Sequence, residues 1–223
     1  MTEFKQADRQ QTSVLAAAEK RALIAIANSL PLWVNSDHLS ALGFLGMVAA
    51  GLSYWYASID RLTGLSLVAV FLVINWFGDS LDGTLARVRN QQRPRYGFYL
   101  DHVLDSIGSA FLLGGLGFSG LMNPAVAAAL LIAYLLLSIE VFLATYAIGK
   151  FQMSFGLFGP TELRVLLIIG NTVAYFRPDV NIFGRYYKLF DVGCLCGIIG
   201  MVGILLWSAA RHTIQLYREE TRW

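Results

Sequence analysis

Residues 79–105 read DSLDGTLARVRNQQRPRYGFYLDHVLD. Two carboxylate pairs bracket this stretch, Asp79 with Asp82 and Asp101 with Asp105. On a helix, spacings of three and four residues each put both acids on one face. Apolar segments flank the stretch, so the first pair closes one hydrophobic helix and the second opens the next. The link between them is short and carries Arg87, Arg89, Arg93 and Arg95. The two helices are therefore antiparallel neighbours, with their acids at one depth. Four anions brought together in a low-dielectric medium repel unless a cation holds them. Oxygen-only ligands select a hard divalent ion, Mg²⁺, Mn²⁺ or Ca²⁺. A cluster of this size suits two ions better than one, and paired metals suit displacement at phosphorus.

Outward from this stretch the chain is strongly apolar. Of its 223 residues 56% are hydrophobic and only 14% charged, with a mean hydropathy of +0.56. Such a composition excludes an ordinary soluble domain and implies a single-domain, polytopic helical membrane protein. Cys194 and Cys196 lie in an apolar run and read as small buried residues rather than a disulfide or zinc site. The first 13 residues are polar, with no cleavage-like site after an apolar core, which argues against a secretory leader. Nothing in the pattern points to nucleic acid.

The predicted architecture is all-α and integral to the membrane. Val14 to Asn28 has helical periodicity with Glu19, Lys20 and Arg21 on one side. It is too short and too charged to span, and reads as an amphipathic helix lying on the bilayer. Pro31 and Trp33 then turn the chain inward. Six transmembrane helices follow, at about 39–58, 62–78 (continuing to near Arg87), 97–121, 124–148, 161–176 and 189–210. This divides the chain into a tail and interfacial helix (1–38), a six-helix catalytic domain (39–210) and a cytoplasmic tail (211–223). An even number of spans puts both termini on one side. Most of the 17 basic residues fall there, while Arg61, Arg177, Arg185 and Lys188 fall opposite. The bias assigns the termini and the acidic motif to the cytoplasm. The basic residues between the fifth and sixth spans run against it, so that connection either re-enters or has a misplaced boundary.

The acidic stretch also has a family likeness. It reads D-x-x-D-G-x-x-A-R, nine residues, then G-x-x-x-D-x-x-x-D, from Asp79 through Gly83, Ala86, Arg87 and Gly97 to Asp105. This resembles the signature of the CDP-alcohol phosphotransferases (CDP-alcohol phosphatidyltransferases), integral-membrane enzymes of phospholipid synthesis. The resemblance implies transfer of a phosphoalcohol group from a CDP-alcohol to a hydroxyl, with two divalent ions, Mg²⁺ or Mn²⁺, and release of CMP. It implies that Asp79, Asp82, Asp101 and Asp105 face the metals. It makes Asp105 the candidate general base, and it places the CDP against Asp82, Gly83, Ala86 and Arg87. Homodimers are common in the family, and that expectation carries over.

Other residues have two readings. Gly83 and Ala86 leave room for a nucleotide, or serve close helix packing. Arg89, Arg93 and Arg95 read as a charged cytoplasmic loop. His102 lies about 100° around the helix from Asp101, beside the site rather than in it. Lys150 and Arg164, with Glu162, would meet a phosphate-bearing acceptor, or merely anchor the cytoplasmic side. Glu140, deep in the fourth span, requires a partner that sequence does not name.

The donor is open between two branches. The run DHVLD (101–105) and Gly159-Pro160-Thr161-Glu162 resemble the branch using CDP-choline or CDP-ethanolamine on diacylglycerol. The small size and the pair Lys150 and Arg164 resemble the branches using CDP-diacylglycerol with a polar, phosphorylated acceptor, and this is the expectation adopted. A divalent-cation or proton transporter could use the same acids, but would not need Gly83, Ala86 and Arg87 at those spacings.

Overall fold

The computed structural model describes residues 16–148 and 160–220. Helix starts follow local chemistry. α1 spans Ala16–Ser29. α2, Ser36–Tyr56, is capped by Asn35, whose side chain accepts from the His38 amide at 2.9 Å. α3, Arg61–Val88, is capped by Asp60, which accepts from the amide of Thr63 at 3.2 Å and from its hydroxyl at 2.6 Å. These bonds hold the Asp60 carboxyl below the usual range. α3 ends with Asn90 in the left-handed conformation, a common way to stop a helix. α4 (Pro94–Phe118), α5 (Pro124–Ile148) and α6 (Pro160–Phe176) each open on proline, whose missing N–H costs nothing at a first helical position. α7 runs Leu189–Glu220.

Among the described residues the fold is helical except between α6 and α7. There β1 (Asp179–Ile182) and β2 (Arg185–Lys188) form an antiparallel hairpin, with Asp179 opposite Lys188 and Ile182 opposite Arg185. Phe183 and Gly184 make its turn, with φ of 52° and 81°, as a two-residue hairpin turn requires. The connection left unresolved by the charge pattern is thus a hairpin. Its signal was a pair of aromatic and β-branched runs separated by a Phe-Gly turn.

α2, α3 and α4 meet backbone to backbone. A methyl group on Gly46 would fall 2.8 Å from the Asn75 amide, one on Gly78 would overlap the backbone of Gly43, and one on Gly115 would overlap that of Gly51. Small residues at these crossings bring α3 and α4 close to α2 and fix where their acids stand. A core of Ala50, Tyr54, Leu65, Val68, Leu72, Leu116 and Met122 fills the other end of the bundle. There the buried Tyr54 hydroxyl donates to Asn171 of α6 at 2.8 Å.

At the acidic end, α1 packs Leu23 and Ala27 against Leu39, Leu81 and Leu85. Its apolar face therefore rests on the protein. Lys20 and Arg21 are exposed as the periodicity suggests, but Glu19 is turned inward. The arginines after α3 are structural as well as basic. Arg89 donates to the carbonyls of Leu30 at 2.9 Å, Pro31 at 3.0 Å and Val34, which fixes the turn from α1 to α2. Arg93 pairs with Asp37.

α2, α3, α5 and α7 are each long and apolar enough to cross a membrane. Much of α7 is exposed apolar surface, including Leu195, Ile199, Leu206 and Trp207. The chain is an integral membrane protein, and surface of this kind is what hydrocarbon covers.

Candidate active site

The end of α3 and the start of α4 bring their acids together. Asp79, Asp101 and Asp105 each present a carboxylate oxygen within 4.8 Å of the others. Asp82, one turn past Asp79, lines the same notch but is set apart from this trio. Its Oδ2 accepts from Ser40 of α2 at 2.5 Å. The four acids expected to converge are thus three plus a fourth oriented by a serine. Ser40, Gly43, Phe44 and Met47 of α2, with Leu104, close the notch to about 20 Å³. That is room for one water-sized body. An all-carboxylate donor set around such a space fits a hard divalent ion, and Asp79, Asp101 and Asp105 are the residues that could hold it.

Arg164 enters the cluster from α6. Its guanidinium donates from Nη2 to Asp79 Oδ2 at 2.6 Å and from Nε to Asn75 Oδ1 at 2.8 Å. Its side chain is only 11% exposed, packed among the acids rather than laid on the surface. Asn75 in turn donates from Nδ2 to the Gly43 carbonyl at 2.9 Å. Neither Asn75 nor Ser40 was picked out in the sequence. For Asn75 a signal existed, a buried amide in an apolar span four residues before Asp79 and so on its face. For Ser40 there was none, because its role depends on how α2 sits against α3.

Gly83, Ala86 and Arg87 form the outer turn of α3. The Arg87 side chain lies over Gly83, its Nη1 3.4 Å from where a Cβ would stand, and donates to Thr84 Oγ1 at 3.1 Å. The nearest atoms a Cβ would meet there thus belong to the end of a flexible side chain. Gly83→Leu is therefore expected to fold normally while lowering CDP affinity at least tenfold, by analogy with misplaced groups in tight sites. Titration calorimetry with CDP alongside a thermal melt checks this, and unchanged affinity rejects a nucleotide contact at Gly83.

His102 sits beside the site, as its helical position implied. Its ring stacks on Phe98 at 4.2 Å and meets Phe142 edge-on at 4.7 Å. Its Nδ1 is 3.5 Å from Asp101 Oδ2. Glu140 finds its partners on α7, taking a hydrogen bond from Ser208 at 2.9 Å and pairing with His212 Nδ1 at 2.7 Å. Ser208 also approaches that same nitrogen at 3.4 Å. A nucleophile–base–orienter relay needs the two on opposite ring nitrogens, so this trio is a tie between α5 and α7. Lys150 lies outside the described residues, as does the side chain of Glu162.

A helical membrane bundle with an acid cluster between its second and third apolar segments matches known proteins. The chain belongs to the CDP-alcohol phosphatidyltransferase family, whose sequence model matches residues 33–212. It is therefore a transferase of phospholipid synthesis, moving a phosphatidyl-type group from a CDP-alcohol. No curated protein matches the chain. Among solved structures, the phosphatidylinositol phosphate synthase PgsA1 of Mycobacterium tuberculosis, with CDP-DAG bound, has the same fold. The TM-score is 0.64 and the identity 20%, over 86% of this chain and 94% of that one.

Proposed function

We propose that this protein transfers phosphatidyl from CDP-diacylglycerol to a polar alcohol bearing a phosphate. The observation that carries this is Arg164. A nearly buried guanidinium is fixed among the carboxylates by Asn75 and Asp79, where a second anionic substrate would need a cation of its own. Family membership supports a CDP-linked donor, and the structural neighbour was solved with CDP-DAG.

In this reading α2 to α7 are six spans, with α1 on the cytoplasmic surface and both termini beside it. The tail and α1 (1–38), the catalytic bundle (39–210) and the C-terminal tail (211–223) make one unit that pairs as a homodimer. Asp79, Asp82, Asp101 and Asp105 hold two divalent ions, Mg²⁺ or Mn²⁺, which supply charge neutralisation of the diphosphate and a more acidic acceptor hydroxyl. Gly83 and Ala86 leave space for the nucleotide along α3, and Arg87 meets its phosphates. Asp105 takes the proton of the acceptor hydroxyl as that oxygen bonds to the β-phosphorus. The bond from that phosphorus to the CMP oxygen breaks, and CMP leaves with the electron pair.

The test is CMP release by purified protein across a substrate panel. One arm supplies CDP-diacylglycerol with glycerol phosphate, inositol phosphate or unphosphorylated alcohols, and the other CDP-choline or CDP-ethanolamine with diacylglycerol. Turnover only in the second arm moves the assignment to the aminoalcohol branch, which the DHVLD run and residues 159–162 resemble. No CMP release in either arm rejects both donor assignments. Arg164→Ala is expected to raise the acceptor KM by roughly 10- to 150-fold, the loss of about 1.5–3 kcal/mol from a charge-assisted contact. The donor KM stays within about threefold. A rise confined to the donor KM would show instead that Arg164 acts through Asp79 on the diphosphate.

A further inference from the structure

Glu19 belongs to the surface helix, yet it faces inward and joins three elements. It stands four residues before Leu23 and eight before Ala27, on the face of α1 that packs against α3. One oxygen, Oε1, accepts from Trp76 Nε1 at 2.7 Å, Thr161 Oγ1 at 3.0 Å and Ser80 Oγ at 3.3 Å. Trp76 and Ser80 are the chain neighbours of Asn75 and Asp79 on α3. Thr161 lies one turn before Arg164 on α6. Thr161, through Glu19, and Arg164, through Asn75 and Asp79, thus both tie the start of α6 to α3.

We propose that Glu19 is a positioning residue that locks the first turn of α6 onto α3 and so aims Arg164 into the acid cluster. A first turn is the weakest part of a helix, because its amides have no partners within it. α6 is short, and Arg164 is only its fifth residue, so fraying of that turn would carry the guanidinium away from Asp79. A carboxylate anchored at this end also meets the positive pole of the helix. Misplacement of about 1 Å is enough to cost up to 100-fold in a preorganised site. α1 thereby contributes to substrate recognition without touching substrate.

The inference rests on Arg164 contacting a substrate, and the test separates the two ideas. Full-length protein is assayed by CMP release with whichever substrate pair from the panel supports turnover, varying each substrate in turn. Glu19→Ala and Thr161→Val are each expected to raise the KM that Arg164→Ala raises, by about three- to tenfold, with kcat changed less than about twofold. Glu19→Gln keeps an acceptor oxygen and is expected to stay within about twofold of wild type. In an Arg164→Ala background, Glu19→Ala adds less than about twofold, because what it positions is gone. A full multiplicative effect in that background overturns the proposal. So does a Thr161→Val enzyme with unchanged KM, which remains decisive if Glu19→Ala does not fold. If Arg164→Ala moves the donor KM and Glu19→Ala follows it, the acceptor reading fails while the positioning role stands.

Discussion

Asp105→Asn is expected to lower kcat by about 10³-fold or more, within the range lost when a general base is removed. The substitution keeps shape and leaves α4 intact, but an amide cannot take the hydroxyl proton. CDP affinity is expected to fall by less than about tenfold, since Asp79 and Asp101 remain within 4.8 Å of each other and Asp82 keeps its Ser40 contact. The neighbouring acids should divide differently. Asp79→Asn, Asp82→Asn or Asp101→Asn each weaken metal and CDP binding together, and Asp79→Asn also breaks the ion pair with Arg164. Steady-state CMP release and CDP calorimetry on the same preparations make the comparison. Near-normal turnover by Asp105→Asn rejects its role as base.

Removing divalent metal is expected to abolish turnover to background, with Mg²⁺ or Mn²⁺ restoring it. Three carboxylates share a notch of about 20 Å³, and Arg164 pairs with Asp79 among them. A diphosphate approaching this surface meets net negative charge unless metal intervenes, a repulsion of several kcal/mol at effective protein dielectric. Excess EDTA followed by metal titration tests it, with melting temperature as a second readout, because an ion that binds the folded state raises it. Full turnover in EDTA rejects the metal reading.

Much of the architecture was legible because its signals are local. Pro94, Pro124 and Pro160 mark helix starts whatever surrounds them, and α2 to α7 each fall on a segment expected to be helical, with α7 running on past 210 to Glu220. The acidic pairs were legible for the same reason, since i, i+3 and i, i+4 spacings survive in any helix. What could not be read depends on how helices meet. The glycine contacts Gly43–Gly78 and Gly51–Gly115 set the depth of α3 and α4 against α2. They decide that Asp79 joins Asp101 and Asp105 while Asp82 turns to Ser40. Glu19 was grouped with Lys20 and Arg21 because all three are charged, yet its side chain bonds Trp76 and Ser80 of α3. Glu140 called for a partner, and His212 lies 72 residues away on another helix, a distance no periodicity spans.

The glycine crossings have a mechanical consequence. Helices that touch through side chains can slide, because rotamers take up the strain. Helices that touch through backbone have no such slack, since packed main chain is nearly incompressible. α2, α3 and α4 therefore behave as a stator, and the three clustered acids are bolted to it. α6 is held to that frame by side-chain bonds from Tyr54, Glu19, Asn75 and Asp79, which can break and re-form one at a time. Compliance in the active site is thus divided by charge, with the anions stiff and the cation of Arg164 on the movable part.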